Sequence, residues 1–391
     1  MTRLIEALLG RLPIGWLQLR HNRTRLIAAI AGVAFANLLV LMQLGFAFGL
    51  VRSVRLSYDQ INADIIIAAS DMNTMADASP VPRQRMFEAL AVEGVAEATP
   101  LYYGKIDWKQ PDGTIRTLDL FGIDPSARPF ANAEVIAAQG ELTLSDRAII
   151  DRRTRNAPKE IFAGIDSGTP YTFEVKNRTL NVFRTFTIGG GFTADGYMIV
   201  SDQTFLKLFP QRAAGAPNFI LLKLEPGARL AETAQRLRAV IPAYDSAVHT
   251  KEEIIRRDQA FQTTQRPVGV VFGFGVIIGI MVGIIIVYQV LSTDVADHIK
   301  EYATFKAIGY PNRFFLSIVF EEAVILGILG FVPGLIGSLG LYALVVRITG
   351  LPLEMTAGRA LAVFVGSVIM CALSGAIATR RLNRANPAEL F

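Results

Sequence analysis

The sequence predicts an integral membrane α-helical protein in which four transmembrane helices carry a large α+β extracytoplasmic domain between helices 1 and 2. Three observations predict it. Residues 26–51, 267–293, 314–346 and 360–379 are apolar stretches that each meet the ~20-residue requirement for crossing a bilayer with few charges. More than 200 residues of ordinary globular composition (52–266) separate the first stretch from the second, enough for a domain with its own core. A hydrophobic content of 51% with a mean hydropathy of +0.37 excludes both an ordinary soluble domain and a chain buried wholly in lipid.

In residues 1–25, Leu4, Leu8 and Leu12 form a helical stripe with Ile5 and Leu9, opposite Arg3, Glu6 and Arg11, before Pro13 interrupts. The pattern predicts an amphipathic helix lying in the membrane interface, its apolar face in the headgroup layer. The first apolar run begins only at Leu26 and is 26 residues long, which argues against a cleaved signal peptide. Arg3, Arg11, Arg20, Arg23 and Arg25 precede the first span, and Arg380, Arg381 and Arg384 follow the last in a short tail, 380–391. The positive-inside bias then places both termini in the cytoplasm, as an even number of spans requires. Arg52 and Arg55 oppose this locally, but a long domain translocates largely regardless of charge.

Within the external domain, Ala63–Ala69, Tyr102–Trp108, Ile115–Gly122, Tyr171–Val175, Thr179–Ile188, Tyr197–Val200 and Phe219–Leu224 read as strands. Arg83–Ala91, Leu230–Val240 and Lys251–Gln262 read as helices, and Gln110–Gly113, Lys176–Arg178 and Gly189–Gly191 as turns. In the second span, Gly275, Gly279 and Gly283 form two successive G-x-x-x-G repeats, which let helix backbones approach closely in lipid. The motif fits packing within the chain or against a second copy. The third span holds Glu321 and Glu322 early in its course, costly in lipid unless they face protein or water. Glu322 is expected to face the bundle and Glu321 the interface. Pro333-Gly334 predicts a kink or break, and Asn37 and Gln43 interhelical hydrogen bonds. The second external connection, 347–359, is short.

Little catalytic chemistry is available. No G-x-x-x-x-G-K-S/T occurs, so no nucleotide site is expected in this chain. His21, His249 and His298 lie in three separate regions and cannot converge on one metal or one triad. Asp64 and Asp71 are acid/base candidates of the kind usually found solvated or capping. Cys371 is the lone cysteine and falls in the last span, so no disulfide framework exists within the chain. The net charge of +5 gathers beside membrane ends without interleaved aromatics, which does not support nucleic-acid binding. No catalytic residue and no metal ligand is predicted.

Between the second and third spans, Thr293–Arg313 is polar. Val295, Ile299, Tyr302 and Phe305 fall on one helical face, Asp294 is an N-cap candidate, and Gly309 with Pro311 gives a stop signal. The wording E-Y-A-T-F-K-A-I-G-Y-P-N-R-F, Glu301 to Phe314, resembles the E-x-A-x-x-R/K-A-I/L-G-A/Y-x-x-x-F/I signature of FtsX/MacB-like ABC permeases. Glu322 with Gly327 and Gly330 is similar to the family's E-x-x-x-x-G-x-x-G phrase, and Ala91–Pro100 and Glu225–Val240 to passages of its periplasmic domain. Ala385–Phe391 resembles its closing tail.

The resemblance implies a type VII (MacB-like) architecture in the bacterial inner membrane. It makes residues 294–313 a coupling helix for a separate ABC ATPase, which alone binds ATP and Mg, through Ile299, Glu301, Tyr302, Phe305, Lys306, Ala307 and Gly309. Four spans make a small bundle, so a second permease is implied, an identical copy in a homodimer or a related chain in a pseudo-symmetric heterodimer. The compact domain and tail are most similar to DevC-type permeases of cyanobacteria. That implies export of a lipid-like cargo by mechanotransmission, with a membrane-fusion protein and a TolC-like outer-membrane channel. Regulation of a periplasmic cell-wall hydrolase, as by FtsX, and lipoprotein extraction are the alternatives; an enzymatic external domain would need activity of its own.

Overall fold

A computed structural model describes residues 14–299, 301, 304 and 308–378. In chain order these form α1 (Ile14–His21), α2 (Arg23–Asp59), β1 (Ile65–Ala69), α3 (Gln84–Leu90), β2 (Val95–Lys109), β3 (Ile115–Ile123), α4 (Ala133–Ala138), β4 (Arg147–Asp151) and α5 (Lys159–Asp166). There follow β5 (Tyr171–Val175), β6 (Arg178–Phe186), β7 (Gly196–Ser201), α6 (Asp202–Leu208), β8 (Phe219–Leu224), α7 (Leu230–Val240), β9 (Ser246–Thr250) and α8 (Lys251–Thr264). The last three helices are α9 (Pro267–Asp297), α10 (Asn312–Thr349) and α11 (Ala357–Ala378). Two compact units result, one helical and one built on a sheet.

In the helical unit, α2, α9, α10 and α11 are each long and apolar enough to cross a membrane. Their shared core includes Ala29 and Val33 of α2, Val287 and Leu291 of α9, Ile318 and Leu326 of α10, and Cys371 of α11. Trp16 and Leu19 of α1 are buried in the same core. The stripe of Leu4, Leu8 and Leu12, expected to lie in the headgroup layer, falls outside the described residues. α10 runs unbroken through Pro333, so the expected break does not occur. Asn37 does make the expected interhelical bond, donating to Ser367 Oγ at 3.1 Å while also reaching Val33 O.

The other unit is a nine-stranded sheet in the order β5-β6-β4-β7-β3-β2-β8-β1-β9, antiparallel except for the β3/β7 and β4/β6 pairs. Period-two alternation feeds different cores from the two faces. On β1, Ile66 and Ala68 join Tyr58, Phe121 and Ile254 on one side, while Ile65 and Ile67 join Met86 and Leu237 on the other. At the opposite end of the sheet a third core centres on Trp108, which meets Phe162, Tyr171 and Phe173 edge-on or tilted. Every strand and helix read from the pattern is present, and the Lys176-Asn177 turn has both residues at positive φ, as a tight hairpin requires. The pattern missed β4, β9 and the short helices α4, α5 and α6.

Candidate functional site

The segment following α9 is the first candidate, and it begins differently from the sequence expectation. α9 continues to Asp297, so Asp294 lies inside its last turns instead of capping a new helix. Arg25 of α2 explains the continuation. Its guanidinium stands 3.5 Å from Asp294, pairs with Asp297 at 2.7 Å and donates to Val290 O at 2.9 Å, holding the C-terminal carbonyl end of α9 with a cation. Val295 is 3% exposed and belongs to the bundle core, so it is not offered to a partner with Ile299.

Beyond this anchored end Ile299, Glu301 and Thr304 are helical. Ile299 is half-buried, Glu301 and Thr304 are exposed, and Ile308 is 69% exposed. Gly309 ends the segment at φ +107°, a left-handed conformation that only glycine adopts without strain. Tyr310 then packs on Phe314 at 4.6 Å between ring centroids as α10 begins. Tyr302, Phe305, Lys306 and Ala307 lie outside the described residues.

Glu321 and Glu322 both stand in the bundle core beside this anchor. Glu322 is fully buried, as expected, facing Asp294 with Glu321 and Arg25 nearby. Glu321 is also buried, at 7% exposure, which corrects its interfacial placement. The reason is α1: the backbone N–H of Trp16 donates to Glu321 Oε1 at 3.3 Å, and Gly15 comes so close that a Cβ there would lie 2.9 Å from Glu322 Cγ.

The glycines of α9 pack within the chain. A Cβ at Gly275 would lie 2.3 Å from Gln43 Cδ, at Gly279 2.9 Å from Val40 Cγ2, and at Gly283 2.7 Å from Met370 Sδ. The small-residue face is thus occupied by α2 and α11.

In the sheet unit the acid/base candidates have structural roles. Asp64 accepts from Lys223 Nζ at 2.9 Å and Leu224 N at 3.0 Å, and Asp71 accepts from the Ser79 hydroxyl at 2.7 Å. No group of three or more metal-ligating side chains occurs among the described residues. Two carboxyls that sequence reasoning overlooked, Asp119 and Asp258, are buried in the core, and burial pushes each to about 6. A third, Asp151, accepts three backbone N–H bonds, from Arg153 and Ile188 at 3.0 Å and from Gly189 at 2.7 Å.

Comparison with known proteins follows the same division of the chain. A family model described as MacB-like periplasmic core domain matches residues 26–240, more than half of the chain. A second, described as FtsX-like permease C-terminal, matches residues 273–387. Among solved structures, the periplasmic region of MacB from Actinobacillus actinomycetemcomitans is similar at 11% identity and a TM-score of 0.34, over 51% of this chain and 93% of that one. The extracellular domain of the noncanonic ABC-type transporter YknZ from Gram-positive bacteria is similar at 13% identity and a TM-score of 0.30, over 44% of this chain and 90% of that one. No curated protein matches.

Proposed function

Because the chain belongs to the MacB-like periplasmic core domain family and continues into an FtsX-like permease region, with the four-helix layout of a type VII ABC permease, we propose that it is a force-transmitting subunit without catalytic activity of its own. A separate ABC ATPase hydrolyses ATP and docks on residues 294–313, through Ile299, Glu301, Tyr302, Phe305, Lys306, Ala307 and Gly309. Motion of that segment passes along α9 and α10 to the sheet domain, which moves on the far side of the membrane. The observation that carries this reading is the exposure of Glu301, Thr304 and Ile308 between an ion-paired α9 end and the left-handed stop at Gly309.

The protein sits in a bacterial inner membrane with both termini cytoplasmic and the sheet domain periplasmic. A second copy completes the bundle. Since Gly275, Gly279 and Gly283 are already covered by α2 and α11, that copy meets an adjoining, uncovered face of α9. There Val271, Phe274, Ile278, Met281 and Ile285 are exposed at alternating spacings of three and four. Only 17% of the most apolar window of α9 is covered within the chain, against 33%, 39% and 33% for the other spans. The cargo is lipid-like, as for DevC-type exporters, and leaves through a membrane-fusion protein and a TolC-like channel.

Isolation of the intact membrane complex tests the assignment. Recovery of an ABC ATPase with a membrane-fusion protein is the expected result; a cell-wall hydrolase activator in its place would mean a regulator of the FtsX kind. For docking itself, Glu301→Lys and Gly309→Pro are expected to remove stimulation of the ATPase while the permease stays in the membrane. Wild-type stimulated turnover in either variant refutes the docking role.

A further inference from the structure

Where the last turns of α2 meet α8 and the sheet, a cavity of about 20 Å³ is lined by Ser57, Tyr58, Thr74, Tyr103, Asp119 and Asp258. Its polar groups come from five elements. Asp258 of α8 is 3% exposed; its Oδ2 accepts from Tyr58 OH at 3.0 Å and from Met75 N at 2.8 Å. Its Oδ1 makes no hydrogen bond of good geometry among the described residues, although the Gln262 side chain, one turn away on the same wall, still acts on the carboxylate as a hydrogen-bonding neighbour. Thr74 is fully buried, and its Oγ1 is likewise unpartnered. Asp119 of β3 accepts from Tyr103 OH of β2 at 2.6 Å, and Ser57 of α2 shares a 2.8 Å bond with Tyr197 OH of β7.

Positive charge is scarce here. Lys105 Nζ is 3.9 Å from Asp119 Oδ1, and Arg266 is engaged with Asp77, a further carboxylate near Asp258. Asp258 makes no ion pair among the described residues. Ionisation of a buried carboxylate with no cation beside it is unfavourable. Protonation removes the charge and gives Oδ1 a hydrogen to donate, to Thr74 Oγ1 or to the single water that a space of this size admits. Tyr103 and Tyr197 remain neutral donors, because burial holds their phenols above the usual range.

We propose that this pocket is a proton-binding latch: with Asp258 protonated, α2, α8 and the Thr74–Asp77 turn stay packed on the sheet, and with it ionised the packed state loosens toward water. The sign follows from burial. Asp258 sits at about 6 in the packed state against an ordinary 3.8, so its stabilisation is full below 3.8 and is lost as pH rises through 6. His249 titrates in the opposite sense, since burial lowers it and acid would destabilise through that group. The bearing of the latch on transport rests on the force-transmission reading, because acid would hold the moving domain in one state; the latch itself does not rest on it.

The test is hydrogen exchange on the full-length chain in nanodiscs, followed through residues 72–78 and 255–264 between pH 5 and pH 8. After correction for intrinsic exchange, the opening equilibrium is expected to rise about tenfold across that range from Asp258 alone. Asp258→Asn should remove that tenfold, and His249→Gln should not. Tyr58→Phe, which deletes a donor to the carboxylate and no charge, should keep the dependence and move its midpoint to higher pH. A flat wild-type profile, an undiminished dependence in Asp258→Asn, or an unmoved midpoint in Tyr58→Phe overturns the latch. No ATPase is present in the experiment, so its outcome is independent of docking.

Discussion

Asp151 does for the sheet domain what a whole turn sequence usually does. Its carboxylate gathers the N–H groups of Arg153, Ile188 and Gly189, tying the end of β4 to the loop after β6. The three glycines of that loop then have separate reasons to be glycine. Gly189 takes φ +108°, a Cβ at Gly190 would lie 2.2 Å from Asp195 O, and one at Gly191 would lie 2.8 Å from Ser53 Cβ. Asp151→Ala removes the shared acceptor of three part-buried N–H groups, so the variant should melt below wild type by thermal unfolding in detergent. At Glu322 polarity and charge can be separated. Glu322→Leu should impair transport strongly, whereas Glu322→Gln keeps a polar group facing Asp294 and should retain more of it. Glu321→Leu should also impair, since it removes the acceptor for Trp16 N–H; an active Glu321→Leu would mean that contact is dispensable.

Among the elements, α9 has packing that a substitution at a single position can break. Gly279 rests against Val40, and a side chain there meets the α2 backbone N 3.4 Å from its Cβ as well as the valine methyl. Gly279→Leu should therefore cost about 1–3 kcal/mol of bundle stability, visible as a lower unfolding temperature. Ile278→Leu, on the exposed face, should leave it unchanged. The same helix marks the limit of what the sequence could disclose. Apolar length alone located α9, alternation located β3 and β5, and short apolar runs located β1 and β8, each within a few residues. β4 and β9 escaped because RAIID and SAVHT are too short to show a period, and they become strands only through neighbours far along the chain. The end of α9 was misplaced for a related reason: Asp294 has good capping chemistry locally, but Arg25, distant in sequence, draws it into the helix. Likewise the burial of Glu321 depends on α1, 305 residues away. The polar character of residues 294–313 was legible; the partners of Asp294 within the fold were not.

For the whole molecule, the decisive expectation is sidedness. Cysteines placed at Asp112 and Lys306 in a Cys371→Ser background should label from opposite faces of the membrane. Labelling of both from one side would remove the compartment that docking requires. Attachment of the sheet domain sets a further constraint. β1 follows α2 and β9 leads into α8, and the two are antiparallel neighbours with Ile65 opposite Thr250. Both tethers therefore leave the sheet from the same end of one two-strand ladder. Opposed tugs on the tethers would unzip that ladder rung by rung from Ile65–Thr250, the mode of loading that hydrogen-bonded strands resist least. Tugs in the same direction would leave every rung intact, so a sheet held this way tolerates being carried and not being pried.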